Sequence, residues 1–131
     1  MNYLKFIKNS LIVCGCSTLL VVLLASLTSY ALTRRKTEFT NSLSWWILSN
    51  KMFPPIAIVI PIYLVMSKIH LLDTYVGLIL VYLAANLPYA VWMLISFFDD
   101  IPISLDEAGR IDGCTNLQIL QKVVFPLAGP G

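Results

Sequence analysis

The sequence predicts an all-α polytopic membrane protein: three transmembrane helices followed by a short cytoplasmic helix-turn-helix. Three observations carry that prediction. Of the 131 residues, 58% are hydrophobic and 12% charged, whereas soluble domains run at about 45–50% apolar and about 25% charged. Three long stretches are almost free of charge. A polar stretch with helix start and stop signals, "SLDEAGRIDGCTNLQILQKVVFPLAG", follows them. The length accommodates one domain, 1–131.

The first span, about 11–33, contains "LIVCGCSTLLVVLLASLTSYAL", which has no charge over 22 residues. A bilayer core needs about 20 residues in a helix. Arg34, Arg35 and Lys36 end it. A signal peptide is the competing reading, because Lys5 and Lys8 precede the run. The run is longer than the about 7–15 residues of such a segment, and a basic triplet behind it reads as a stop. A lipoprotein reading of Cys14 or Cys16 is weaker, since most of the apolar run lies behind them.

The second span, about 43–67, joins "SLSWWILSN" to "MFPPIAIVIPIYLVMS" across Lys51. Trp45 and Trp46 suit a membrane interface. Lys51 is the one charge inside a span. It either snorkels to the interface or faces a polar cavity or a partner subunit.

The third span, about 74–98, is "TYVGLILVYLAANLPYAVWMLISFF". Asp73 or Thr74 can cap its start, and Asp99-Asp100 ends it. Proline removes a donor and bends a helix. Pro54, Pro55 and Pro61 crowd the second span, and Pro88 follows Asn86 in the third. Asn86 could donate to the carbonyl that Pro88 frees. Lys51, Pro54, Pro55, Pro61, Asn86 and Pro88 are therefore candidate pathway or kink positions. Broken helices mark substrate pathways in transporters and also occur in plain scaffold helices.

Three spans place the amino terminus and the 68–74 loop on one face. The 34–42 loop and the tail lie on the other. Lys5, Lys8 and Lys68 fall on the first face; Arg34, Arg35, Lys36, Arg110 and Lys122 fall on the second. The positive-inside rule then makes the tail cytoplasmic. Lys5 and Lys8 would sit outside, against the same rule. A further span ahead of Met1 would remove that conflict, so the chain is expected to be a truncated one.

The tail reads as two short helices. Ile101-Pro102 breaks the third span. Ser104 stands three residues before Glu107, the capping-box spacing, and Asp106 and Glu107 fall where the helix dipole favours anions. Leu105, Ala108 and Ile111 share a face. Asp112-Gly113 supplies the stop, with Gly113 suited to a left-handed cap. Thr115 and Gln118 repeat the capping box. Leu117, Leu120, Val123 and Val124 then form a stripe that Phe125-Pro126 ends. A helix with an acidic start and a narrow apolar face fits a groove of a protein partner. A helix lying on the membrane surface is usually basic.

Other chemistry finds little support. A net charge of +2 with dispersed basic residues gives no nucleic-acid patch. Cys14, Cys16, Cys114 and the lone His70 do not assemble four zinc ligands. No GxxxxGK[ST] phosphate loop is present, and no nucleophile–base arrangement stands out. The chain is expected to be no enzyme and to need no cofactor.

"EAGRIDGCTNLQILQKVVFP" resembles the EAA loop of binding-protein-dependent ABC import permeases. That pattern is Glu-Ala-Ala, three residues, Gly, nine residues, then Ile-x-Leu-Pro. Glu107, Ala108, Gly113 and Pro126 match in register, with Val123 and Phe125 as apolar replacements. Gly109 departs from the second Ala, and glycine costs about 1 kcal/mol in a helix interior. "NSLIV", "LASLTSYAL", "KMFPPIAIVIPIYLV", "LLDTYVGLILVYLAANLPYAVWM" and "FFDDIP" are similar to the carbohydrate, maltose-type branch.

The resemblance implies a bacterial or archaeal inner-membrane protein, of which this chain would hold spans two to four and the loop (about 101–126). Its partners would be a cytoplasmic ABC ATPase dimer, a second permease subunit, an extracytoplasmic solute-binding protein and membrane lipid. The 104–113 helix would lie in a cleft of the ATPase. Glu107 would face basic groups there, Leu105, Ala108 and Ile111 would make the apolar contact, and Gly113 would form the turn. Ser104, Gly109 and Asp112 complete the coupling segment. A permease for amino acids or peptides, or a small membrane anchor binding a cytoplasmic protein, are the alternatives.

Overall fold

The computed structural model describes residues 3–52 and 54–129, and every regular element among them is helical. Helix α1 runs from Tyr3 to Arg34. At 1.5 Å per residue, its 32 residues span about 48 Å, more than the about 30 Å of a hydrocarbon core. It starts well before the apolar run does. Lys5 and Lys8 can end a membrane span without ending a helix.

The packing face of α1 is built from small residues. Val13, Ser17, Val21, Ala25, Ser29 and Thr33 recur every four positions, and all are buried. Such a row lets a second backbone approach closely. The helix it receives is α4, Tyr75–Asp99, and α1 with α4 forms the largest helix–helix contact. Ser29 Oγ crosses that contact and donates to the Val91 carbonyl at 2.9 Å. Thr33 Oγ1 instead donates within α1, to the Ser29 carbonyl at 2.6 Å. Ala25, Leu32 and Val91 form a buried cluster, with Leu43 and Ile47 of the following helix packed against it.

That helix, α2, covers Glu38–Ser49. Thr37 caps it, and Thr40 completes a capping box with threonine in place of the usual Glu or Gln. Trp45 and Trp46 are exposed. A 3₁₀ turn follows over Asn50–Met52, and α3 runs over Pro55–Lys68.

The expected span 43–67 is built as two helices, Glu38–Met52 and Ile56–Lys68, bent by 97°. The cause lies in Pro54-Pro55. A residue before proline is pushed out of the helical region, and Pro54 has ψ 127°. Pro55 itself is tolerated as the first residue of α3. Helices Tyr3–Arg34 and Tyr75–Asp99 are long and apolar enough to cross a membrane, and the bent pair adds a third crossing if it counts as one span.

Thr74, not Asp73, caps α4: its Oγ1 accepts from the Gly77 amide at 3.0 Å and donates to the Leu71 carbonyl at 2.8 Å. Gly77 is required here, because a Cβ would lie 2.1 Å from that carbonyl oxygen.

Candidate functional site

Ile101-Pro102 does end the α4 segment, and α5 follows over Ile103–Ile111. Its cap is Pro102, and no side chain bonds the first turn. The capping role expected for Ser104 is thus corrected; Ser104 lies inside the helix and is exposed. Pro102, at φ −58°, enters the helix without an amide to satisfy, so the helix starts before Ser104 can cap it.

The stop is as expected. Asp112 is the C-cap, and Gly113 follows at φ +80°. The Gly113 amide donates to Arg110 at 3.0 Å and the Cys114 amide donates to Gly109 at 2.9 Å, which is the Schellman arrangement.

Thr115 and Gln118 form the expected capping box on α6, Asn116–Ile119. A π turn continues over Leu120–Val124, and α7 covers Phe125–Ala128. Phe125-Pro126 therefore does not end the helix, contrary to expectation. Pro126 sits in the first turn of α7, and the π turn ahead of it widens the helix, with the Phe125 amide donating to Leu120. Proline has no amide to place in the ladder. Pro130 and Gly131 lie outside the described residues.

This second segment folds back onto the ends of α1 and α4. Tyr30, Phe98, Ile101, Ile119, Leu120 and Val124 form one buried cluster, flanked by Cys114, Val123 and Phe125. Of the expected stripe, Leu117 stays outside, 53% exposed. Ile119, absent from that stripe, is fully buried.

Helix α5 is thereby divided. Asp106 and Gly109 face inward and are buried. Leu105, Glu107, Ala108 and Ile111 face outward, with Ile111 86% exposed. Of the coupling residues expected from the sequence, these four share one exposed face, charged at Glu107 and apolar around it. Gly109 belongs to the opposite face. A Cβ there would lie 3.0 Å from Ile119 Cγ1, so the departure from alanine matches the close approach of α6.

The sequence reading missed the most buried polar group of the tail. The side chains of Arg34 and Asp106 are 5% and 2% exposed, and Arg34 Nε donates to Asp106 Oδ2 at 2.8 Å. Tyr30 Oη donates to the same oxygen at 2.8 Å. Arg34 Nη1 donates to the Ile101 carbonyl at 3.1 Å and more weakly to Phe98 at 3.4 Å. One arginine so caps the end of α4, where the dipole favours a cation, and pairs with an acid in the first turn of α5. Spacing shows only that Asp106 and Gly109 share a face; that this face is the inward one comes from their burial.

The candidate pathway positions are only partly brought together. Lys51 Nζ donates to the Ala85 carbonyl at 3.2 Å and lies 5.8 Å from the Tyr89 ring centroid, beside Pro88 inside α4. Asn86 does not serve Pro88 as expected; its Nδ2 donates to Tyr82 within the helix at 2.8 Å. Pro54 and Pro55 shape the bend, and Pro61 lies within α3. A cleft of about 740 Å³ between α1, α3 and α4 is lined by others, among them Val13, Tyr63, Met66 and Tyr82.

Comparisons with known proteins give the family. Residues 20–131 match the family model described as binding-protein-dependent transport system inner membrane component. The chain is 38% identical over 126 residues to the sulfoquinovosyl glycerol transport system permease protein SmoH of Agrobacterium fabrum, covering 96% of this chain and 44% of that protein. It is 37% identical over 123 residues to the trehalose transport system permease protein SugB of Mycobacterium tuberculosis, covering 94% and 45%. It is 32% identical over 130 residues to the trehalose/maltose transport system permease protein MalG of Thermococcus litoralis, covering 99% and 47%. The chain spans about half the length of the curated relatives it matches. With its apolar helices and a family match over most of its length, this multi-pass chain belongs to the inner membrane components of binding-protein-dependent transport systems.

Proposed function

We propose that this chain is part of the permease subunit of an ATP-driven importer for sugars, and that α5 couples it to the ATPase. The observation that carries the reading is the division of α5. Asp106 and Gly109 are buried, while Leu105, Glu107, Ala108 and Ile111 are left outward. An exposed acidic and apolar helix face suits a groove in a soluble partner. The partners in this reading are a cytoplasmic ATPase dimer, a second permease subunit and an extracytoplasmic solute-binding protein. The tail is cytoplasmic, in keeping with the balance of basic residues. Sugars are the solute class because SmoH, SugB and MalG carry sugar transport in their names. Lys51, with the broken pair beside it, is a candidate lining of the pathway.

The test is Glu107→Lys in the assembled transporter. Uptake of labelled sugar should fall at least tenfold, with less ATPase subunit copurifying. Unchanged uptake and copurification would remove the docking role. Uptake of amino acids or peptides, with none of sugars, would overturn the solute class.

A further inference from the structure

Helix α5 places none of its side chains in either apolar cluster of the fold. Its buried residues are Asp106 and Gly109. Gly109 rests against Ile119 of the next helix, whereas Asp106 reaches α1. There it meets Arg34 Nε and Tyr30 Oη, each at 2.8 Å. Arg34 also holds the carbonyl of Ile101 just beyond α4. So one guanidinium ties together α1, the end of α4 and α5. Apolar contacts let packed surfaces slide, but charge-assisted hydrogen bonds fix direction as well as distance. The pair is also buried, so water cannot readily replace either partner.

We infer that Arg34 and Asp106, held by Tyr30, are positioning residues that pass movement of α5 to the ends of α1 and α4. This rests on α5 being the element that meets the ATPase. When that partner displaces α5, Asp106 carries Arg34 with it, and Arg34 carries both membrane helices. Arg34 Nη2 and Asp106 Oδ1 have no hydrogen-bond partner among the described residues. The fork is therefore closed on one prong, and a second parallel bond is chemically open to it.

The experiment uses the assembled transporter in proteoliposomes. It reads three quantities: ATPase subunit retained per permease, ATP turnover, and solute taken up per ATP. Arg34→Gln and Asp106→Asn should retain the ATPase within about twofold while uptake per ATP falls about tenfold. Removing one member of a buried pair is far worse for folding than removing both, so Arg34→Met with Asp106→Leu provides a second test. This double variant should assemble and show the same loss of coupling. The inference is overturned if any of these variants assembles and couples at the original ratio. It is equally overturned if the double variant fails to assemble, since the pair would then act in folding alone. Failure of the docking reading looks different: Glu107→Lys would leave both retention and uptake unchanged.

Discussion

Gly113 takes φ +80° between two helices that must turn back on each other. A left-handed residue with a Cβ costs about 1–2 kcal/mol, so Gly113→Ala should loosen the turn without filling any space. Cys114, half-buried beside it, gives a local readout. On a background lacking Cys14 and Cys16, maleimide labelling of Cys114 should accelerate roughly fivefold or more in Gly113→Ala. Gly109 is a different case, because its limit is steric. Gly109→Ala should destabilise the helix pair by about 1 kcal/mol, in the range of mild overpacking. Shortening the facing side chain in Gly109→Ala/Ile119→Val should recover most of it, as a double-mutant cycle on thermal stability would read. Glycine at 113 was legible from the Asp-Gly stop, whereas the reason for glycine at 109 needed the position of Ile119. Arg34 was legible only in part. As a basic residue after an apolar run it served as an orientation signal, and nothing local in the sequence says that it pairs with Asp106.

At the scale of elements, local chemistry set most boundaries. Thr74 and Thr115 cap the helices that their spacing indicates. Losing such a cap typically costs about 1 kcal/mol. Thr115→Ala should therefore lower the midpoint of tail unfolding, followed by the same Cys114 labelling, while Ser104→Ala should leave it unchanged. That pair of variants separates a real cap from a residue with capping spacing but no capping bond. The second span shows what hydropathy leaves out where two prolines meet. Pro54 and Pro55 were visible as kink formers, but hydropathy reads straight through them. Only the backbone rule for a residue before proline explains why the second span breaks by 97°. The row at every fourth position of α1, from Val13 through Ser17, Val21, Ala25 and Ser29 to Thr33, was in plain view. It passed unnoticed because hydropathy treats Ser, Ala and Val by polarity and not by size.

At the scale of the molecule, two kinds of adhesion coexist. The second tail segment is held by apolar burial against α1 and α4, and α5 by one buried ion pair. The rest of α5 is exposed, with only Asp106 and Gly109 buried. Membrane class and the helix pair of the tail could be read from composition, caps and spacing. The inward anchor could not, because it joins residues 72 positions apart and distant pairing leaves no local trace.

The most direct measurement is site-specific photo-crosslinking from α5 in the assembled transporter. A benzophenone amino acid placed in turn at Leu105, Ala108 and Ile111 should form adducts with the ATPase subunit, and one at Tyr63 on α3 should form none. Adducts from Tyr63, or none from any of the three α5 positions in a complex that still transports, would contradict the docking of α5 on its partner.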